Sequence, residues 1–182
     1  MKSVVELLTG KNQINARLQR SFDKKFRERE LKMSLSRLNK ELEEMKFCPP
    51  AFCSAKPIHG DMRRWSATIL GPPGSLYENG VFKLLIEFPA FYPAVPPRVK
   101  FITKIFHMNV NEDGWIKLDV LSRKWSPETS VSRILLAIVS LMTTPNPDDP
   151  FDREKTSMYK RHRSRYNDEA KLYTSIYAKG EY

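Results

Sequence analysis

The apolar positions in the first fifty residues recur with the period of an α-helix. They are spaced by four residues between positions 14 and 26, and by alternating fours and threes between positions 31 and 45. Such spacings place side chains on one face of a helix. Pro49-Pro50 ends the pattern, because proline cannot continue a helix. Whether this is one long helix or two stays open, and we expect residues 1–11, which show no period, to be loosely ordered.

Four short apolar segments after the proline pair have the composition of β-strands. They are separated by turn signals rich in glycine, proline and asparagine, which favour hairpins. Closely spaced prolines before the last segment force the chain into an extended path. We therefore predict an antiparallel meander built from residues 53–58, 63–70, 81–88 and 98–101.

The second half of the chain starts with an irregular stretch and ends in helices. Residues 102–128 show no sustained period, and a long irregular segment inside a compact domain usually carries function. Ser130 is the predicted N-cap of a strongly apolar helix, which we expect to lie buried in the centre of the fold. Two polar helices are predicted over residues 152–161 and 167–178. This order of elements predicts an α+β domain.

Charge narrows the classes of function without selecting one. The chain has 182 residues and a formal net charge of +10. Residues 1–32 carry nine Lys/Arg against four Asp/Glu, and residues 153–182 carry eight against four. These basic ends fit solvated helical faces or a surface for an acidic partner. Nucleic-acid binding is disfavoured, because no basic groove interleaved with aromatic residues is evident. The basic run 160–165 is either a nuclear localisation signal or the end of a helix.

Motifs for cofactors, metals and membranes do not occur in the sequence. There is no phosphate-binding loop, no dinucleotide-binding glycine motif and no pair of metal ligands. Cys48 and Cys53 are the only cysteines, and their spacing fits neither zinc nor redox chemistry. No apolar run approaches the roughly 18 residues of a membrane span. We expect no cofactor, no metal, no membrane association and a cytoplasmic or nuclear location.

Five short motifs follow one another in the middle of the chain. In order, they are Tyr92-Pro93-(x2)-Pro96-Pro97-(x)-Val99-(x)-Phe101, His107-(x)-Asn109, Leu118-Asp119-(x)-Leu121, Trp125-Ser126-Pro127 and Pro145-Asn146-Pro147-Asp148-Asp149-Pro150. Together they resemble the core of the ubiquitin-conjugating enzymes, closest to the small single-domain class. The resemblance implies a four-stranded antiparallel sheet with an N-terminal helix, a central helix and two C-terminal helices. It divides the chain into a basic, partly helical extension over residues 1–33 and a core domain over residues 34–182.

The resemblance also places a lysine where the family has its nucleophile. In that family a cysteine thiolate in an Ile-Cys-Leu-Asp run receives ubiquitin as a thioester. Here the run is Ile116-Lys117-Leu118-Asp119. A lysine is mostly ammonium at neutral pH, and an amide formed on it would not pass ubiquitin onward. We expect Cys48 and Cys53 to lie on the far side of the sheet, where they cannot replace the nucleophile.

Other positions around Lys117 match residues with roles in the family. The resemblance implies that His107 and Asn109 lie near the thioester, with Asn109 as oxyanion donor or loop brace. Asp119 matches the acid after the nucleophile, and Asp149 matches the acid that activates the attacking lysine of a substrate. Met108 stands where the family has proline, so we expect Asn109 to be less firmly held.

The resemblance further implies two partner surfaces. Ser54 lies where close relatives centre a non-covalent ubiquitin site. Ala94 replaces a bulky aromatic ligase anchor and Glu128 replaces a nearby alanine, so we expect a weakened ligase surface. Its members are Arg37, Lys40, Ala94, Ser126 and Pro127.

The sequence therefore predicts a protein of the ubiquitin pathway without transfer activity. It would bind ubiquitin or a ubiquitin-like modifier, a ligase, or an active conjugating enzyme. The alternative is an active conjugating enzyme in which Lys117 is an engineered or accidental replacement of the catalytic cysteine. A third possibility is an adaptor for nucleic acid or an acidic surface, built on this fold through its basic ends.

Overall fold

The elements follow one another as the sequence predicts, in a computed structural model that describes the backbone of residues 4–180. Side chains are described for residue 19 and residues 21–180. The helices are α1 (Val4–Phe47), α2 (Val131–Thr143), α3 (Arg153–Arg161) and α4 (Arg163–Tyr177). The strands are β1 (Cys53–Ile58), β2 (Asp61–Leu70), β3 (Val81–Glu87) and β4 (Arg98–Phe101), and a single 3-10 turn covers Asp119–Leu121.

α1 is one continuous helix of 44 residues, which answers the question that the sequence pattern left open. The expectation of a loosely ordered segment over residues 1–11 is wrong from Val4 onward, and residues 1–3 lie outside the described residues. Ser34 is the first buried side chain described in the helix, whereas Phe22 is 70% exposed. The helical period before position 34 therefore does not reflect packing against the domain. The predicted boundary at residue 34 coincides with the onset of burial and not with a break in the helix.

The four strands form one antiparallel sheet in the order β1-β2-β3-β4. β2 begins two residues earlier than predicted, because the connection from β1 is very short. His59 and Gly60 both have positive φ angles, 50° and 79°, which allow the chain to reverse within two residues. This meander fixes which side chains share each face of the sheet.

One face of the sheet carries the hydrophobic core. Buried side chains alternate along β2, at Trp65, Ala67 and Ile69, as expected for a strand with one face covered. Ser130 caps α2 by accepting a hydrogen bond from the Arg133 backbone N–H, as predicted. α2 is less enclosed than predicted, since Leu136 is exposed; its buried residues are Val131, Ser132, Ile134, Leu135, Ile138, Leu141 and Met142.

The two C-terminal helices close the domain. The Asp152 side chain caps α3 by accepting from the Lys155 backbone N–H. α4 begins at Arg163, four residues before the predicted start, and buries Tyr166, Ala170 and Thr174. Among the described residues, no helix has the length and apolar character needed to cross a membrane.

Candidate active site

The segment that carries Lys117 is held against the segment that carries Asn109. The Asn109 carbonyl accepts a hydrogen bond from the Lys117 backbone N–H at 2.8 Å, and Val110 pairs with Ile116 in an isolated antiparallel bridge. Two residues that are eight positions apart therefore become neighbours, as the family resemblance implied.

The side chain of Asn109 braces the loop that carries Asp149. Its Nδ2 donates to the carbonyls of Asn146 at 2.8 Å and Asp149 at 3.0 Å, while its Oδ1 accepts from the Asn146 N–H at 2.9 Å. Asn109 is fully buried. Because both amide hydrogens are used, this geometry is that of a loop brace and leaves no free donor for an oxyanion.

His107 supports Asn109 from the other side. Its Nε2 lies 3.0 Å from the Leu141 carbonyl, and its Nδ1 accepts from the Asn109 N–H at 3.0 Å. Burial lowers the pKa of His107 to about 4, so the ring is neutral at physiological pH with its proton on Nε2. His107 positions the Asn109 loop and is not placed as an acid–base catalyst.

Met108 makes contacts that support this arrangement, which does not show the loosening expected from the missing proline. Its side chain is fully buried, and its carbonyl accepts from the N–H groups of Phe151 at 2.9 Å and Asp152 at 3.1 Å. Its own N–H, which proline would lack, donates to Tyr166 Oη at 3.4 Å. Packing and hydrogen bonds replace the restriction of φ that proline provides.

Lys117, which the resemblance places at the nucleophile position, forms a salt bridge. Its Nζ lies 2.7 Å from Asp149 Oδ1 and donates to the Pro150 carbonyl at 3.4 Å. It also lies 5.6 Å from the centre of the Phe151 ring. The Lys117 side chain is 39% exposed. An ammonium group that donates in a salt bridge has no lone pair with which to attack an acyl group, so it is not a nucleophile.

The salt bridge belongs to a larger charged network. Arg123 contacts Asp149 at 3.5 Å and Asp119 at 2.8 Å, and Lys124 contacts Asp119 at 3.2 Å. The hydrogen bond from Arg123, followed by the one from Lys124, lowers the pKa of Asp119. Sequence reasoning missed Arg123 and Lys124, although the spacing of four residues between Asp119 and Arg123 was an available signal.

Neither cysteine lies in the segments that form this site, since both lie at the connection between α1 and β1. Cys53 is buried at the start of β1, and burial raises the pKa of its thiol to about 11. Cys48 is exposed just after α1. In the described part of the chain, no group of three or more His, Cys, Asp or Glu residues is arranged to hold a metal ion.

Comparisons with known proteins agree with this fold. The family model of the ubiquitin-conjugating enzymes matches residues 37–174. The chain belongs to the ubiquitin-conjugating enzyme family. The structure is also similar to the E2 domain of a Toxoplasma gondii ubiquitin-conjugating enzyme, with a TM-score of 0.74 and 39% sequence identity, over 79% of this chain and 99% of that domain.

In this family member, two loops that the resemblance assigned to ligase binding are joined by a hydrogen bond. Trp125 Nε1 donates to the Pro93 carbonyl at 2.9 Å, which places Ala94 and Pro127 on neighbouring loops. Both of these residues are exposed, and Ser126 is half-buried. The predicted ligase residues of these loops therefore share one region of the surface.

The two ligase positions predicted on α1 differ from each other. Arg37 is partly engaged within the domain, because its Nε contacts Glu41 at 2.5 Å and its Nη2 donates to the Thr129 carbonyl at 3.4 Å. Lys40 is exposed. Of the two cations, Lys40 has the greater freedom to contact a partner.

Ser54 lies on the face of the sheet opposite the hydrophobic core. It is half-buried on β1, where it pairs with Thr68. β1 is at the edge of the sheet. The side chain is therefore on the face that does not carry the core.

Proposed function

We propose that this member of the ubiquitin-conjugating enzyme family acts in the ubiquitin pathway as a binding protein that carries no thioester. The observation that supports the proposal is the 2.7 Å salt bridge between Lys117 and Asp149. An ion-paired ammonium group occupies the position at which the family places its thiolate. The fold and the Asn109 brace are present around this position, which supports a role in binding.

A charging assay tests the absence of a thioester. The protein is incubated with ubiquitin-activating enzyme, ATP and ubiquitin, and then separated on gels with and without reductant. We expect no reductant-sensitive adduct on the wild-type chain, and an adduct on Lys117→Cys as the positive control. Cys48→Ser and Cys53→Ser variants show whether any adduct forms on those thiols. A reductant-sensitive adduct on the wild-type chain would contradict the proposal, and its loss in one of the two serine variants would show which thiol carries it.

A reductant-stable adduct would have a different meaning. It would indicate an amide, and its loss in Lys117→Arg would locate that amide on Lys117. Such a product is a dead end, because an amide does not transfer its acyl group as a thioester does. Retention of the adduct in Lys117→Arg would place it on another lysine.

Binding is tested separately at Ser54. We propose weak ubiquitin binding on the face of the sheet that carries Ser54, with an affinity of about −5 to −6 kcal/mol, in the high micromolar range. An NMR titration should show shifts around Ser54 and Thr68, and Ser54→Arg should remove them. The absence of shifts at millimolar ubiquitin would exclude this site while leaving the charging result unaffected. Pull-downs with a ligase and with an active conjugating enzyme then identify the preferred partner class.

The alternative function is an active conjugating enzyme in which Lys117 replaces a catalytic cysteine. The intact brace at Asn109 and the retained Asp119 and Asp149 favour this alternative. We expect Lys117→Cys to become charged but to discharge slowly with a ligase, since Ala94 offers no anchor. Adding Ala94→Phe should accelerate discharge by about tenfold or more, because an anchoring aromatic contributes about 2 kcal/mol to binding. Equal discharge rates for the single and double variants would support the alternative.

A further inference from the structure

Basic side chains cluster on the outer face of the sheet, opposite the core. The strand register aligns Lys56, Ser66, Leu85 and Lys100 in one row across all four strands. Lys83 lies two residues from Leu85 on the same face, and Arg98 lies two residues from Lys100. The residues between them, such as Leu84 and Val99, point into the core. The sheet therefore presents four cations, Lys56, Lys83, Arg98 and Lys100, on one surface.

These cations are not neutralised within the described side chains. Glu87 is an acidic residue of this face; it contacts Arg64 at 3.6 Å and is the cross-strand partner of Arg98, and Glu112 and Asp113 are exposed just before Trp115. No salt bridge to Lys83, Arg98 or Lys100 is present among residue 19 and residues 21–180. A surface with unbalanced positive charge attracts an anionic partner.

Two of the cations lie over the indole ring of Trp115. Its backbone forms a bridge with Lys100. The Arg98 guanidinium lies 4.4 Å from the centre of the indole ring, and the Lys100 ammonium lies 5.3 Å from it. A guanidinium group placed over an aromatic ring keeps its N–H groups free for an oxyanion, and its planar shape suits a carboxylate. We call Lys83, Arg98, Lys100 and Trp115 the Trp115 face.

We propose that the Trp115 face binds an extended, acidic segment of a partner protein. Arg98 and Lys100 are two residues apart on one strand, so their side chains repeat at about 7 Å. Alternate carboxylates on an extended peptide have the same repeat. Leu85 is half-buried and Ile102 is exposed on this side of the sheet, so both offer apolar contact to the residues between the carboxylates.

The geometry favours an acidic peptide over single-stranded nucleic acid. A nucleic-acid base would need an open aromatic ring for stacking, and Arg98 already lies over the indole of Trp115. The inference does not rest on the proposed function, because it uses neither Lys117 nor Ser54. The two proposed surfaces are nevertheless neighbours on the outer face of the sheet, since Thr68 pairs with Ser54 on one side and with Lys83 on the other. It differs from the sequence hypothesis of an acidic-surface adaptor, which relied on the two basic ends of the chain.

Fluorescence anisotropy with the full chain tests the proposal. The probe is a fluorescein-labelled ten-residue peptide of alternating Glu and Thr, with a Gln-Thr peptide of the same length as the uncharged comparison. We expect the Glu peptide to bind and the Gln peptide not to bind, and we expect added salt to weaken the binding of the Glu peptide. The double variant Arg98→Gln/Lys100→Gln should bind at least about tenfold more weakly. Arg98→Lys keeps the charge but loses the planar group, and should weaken binding by about threefold.

A matched variant controls for the change in net charge. Lys171→Gln/Lys179→Gln removes two exposed cations elsewhere and should change the affinity by less than about twofold. Thermal unfolding checks that both double variants fold. In an NMR titration, the indole N–H of Trp115 should shift while that of buried Trp65 stays in place.

Three results would overturn the proposal. The first is a failure of the expected binding: either the wild-type chain does not bind the Glu peptide, or Arg98→Gln/Lys100→Gln binds it as tightly as Lys171→Gln/Lys179→Gln does. The second is tighter binding of a single-stranded oligonucleotide of equal charge that is lost in Arg98→Gln/Lys100→Gln. The third is displacement of the peptide by ubiquitin with shifts at Trp115, which would assign the face to ubiquitin.

Discussion

Lys117, at the position that the resemblance assigns to the nucleophile, belongs to a network of salt bridges that the fold brings together. One carboxylate oxygen of Asp149 forms a salt bridge with Lys117, and the other forms one with Arg123. Both members of the Lys117–Asp149 pair are more than one-third exposed, at 39% and 36%. Water screens such a pair, which typically contributes less than about 1 kcal/mol. Lys117→Cys should therefore leave the fold stable enough for the charging assay to be informative.

Met108, which the resemblance places at a proline position of the family, is expected to be important for stability. Met108→Ala removes a fully buried side chain and should lower the free energy of unfolding by about 2–5 kcal/mol. Met33→Ala is a matched control, since Met33 is 56% exposed, and should change it by less than about 0.5 kcal/mol. Urea denaturation measures both. Equal effects would show that Met108 does not contribute to the core.

His107 makes stability depend on pH. In the folded protein burial lowers its pKa to about 4, whereas an unfolded histidine takes up a proton near pH 6.5. The unfolded state therefore gains a proton first as the pH falls, and stability decreases between pH 6.5 and pH 4 by up to about 3 kcal/mol. Urea denaturation across this range should show the decrease. It should shrink in His107→Gln and persist in His162→Gln, which changes an exposed histidine; an unchanged pH dependence in His107→Gln would contradict the assignment.

At the scale of elements, Glu41 connects three parts of the fold. This residue of α1 is 3% exposed. Its Oε1 accepts from Arg37 at 2.5 Å and from Tyr92 Oη at 2.6 Å, and its Oε2 accepts from the Val131 N–H at 2.7 Å. The carboxylate thus links α1, the proline-rich loop after β3 and the first turn of α2. A negative charge at the start of α2 is also favourable for that helix.

Replacing Glu41 tests this connection. Glu41→Ala leaves the buried Val131 N–H and the Tyr92 hydroxyl without their acceptor, so we expect a loss of about 3 kcal/mol or more in the free energy of unfolding. Glu43→Ala, at an exposed position of the same helix, should have an effect below about 0.5 kcal/mol. Chemical denaturation compares the two variants. If both lose the same amount, the contacts of Glu41 are not stabilising.

At the scale of the whole molecule, α1 extends well beyond the packed domain. Between residues 21 and 33 every side chain is exposed except that of Glu30, which is half-buried. Ser34, Leu38, Glu41 and Met45 are then buried at helical spacing. The first of these residues marks where α1 joins the core, at the boundary predicted from the sequence.

Truncation tests whether the core is stable without the extension. Deleting residues 1–29 removes no buried side chain among those described, so the free energy of unfolding should change by less than about 1 kcal/mol. Deleting residues 1–38 also removes Ser34 and Leu38, which are 1% and 0% exposed, and should lower it by about 3 kcal/mol or more. Calorimetry compares the two. A large loss from the shorter deletion would show that the extension is part of the folded core.

The sequence alone determined the order of the elements and pointed to part of the candidate site. The strands over 53–58 and 98–101 agree with the structure, and the Ser130 cap was correctly predicted, because these features depend on local pattern and on residues near one another in the chain. The motifs likewise pointed to Lys117, Asn109 and Asp149, which the structure brings together. Element starts were less accurate: β2 begins two residues before its predicted start and α4 four residues before it.

Only the tertiary structure decided how these residues interact. The hydrogen bonds of Asn109 to the Asp149 loop, the packing of Met108 and the position of Trp115 against Arg98 and Lys100 join residues that are distant in sequence or on different strands. A linear pattern gives the period of side chains along one element, but it contains no distance between two elements. Loop packing decides that Asn109 is a loop brace and not an oxyanion donor. Strand register places the cations on one face of the sheet. Both form only when the whole chain folds.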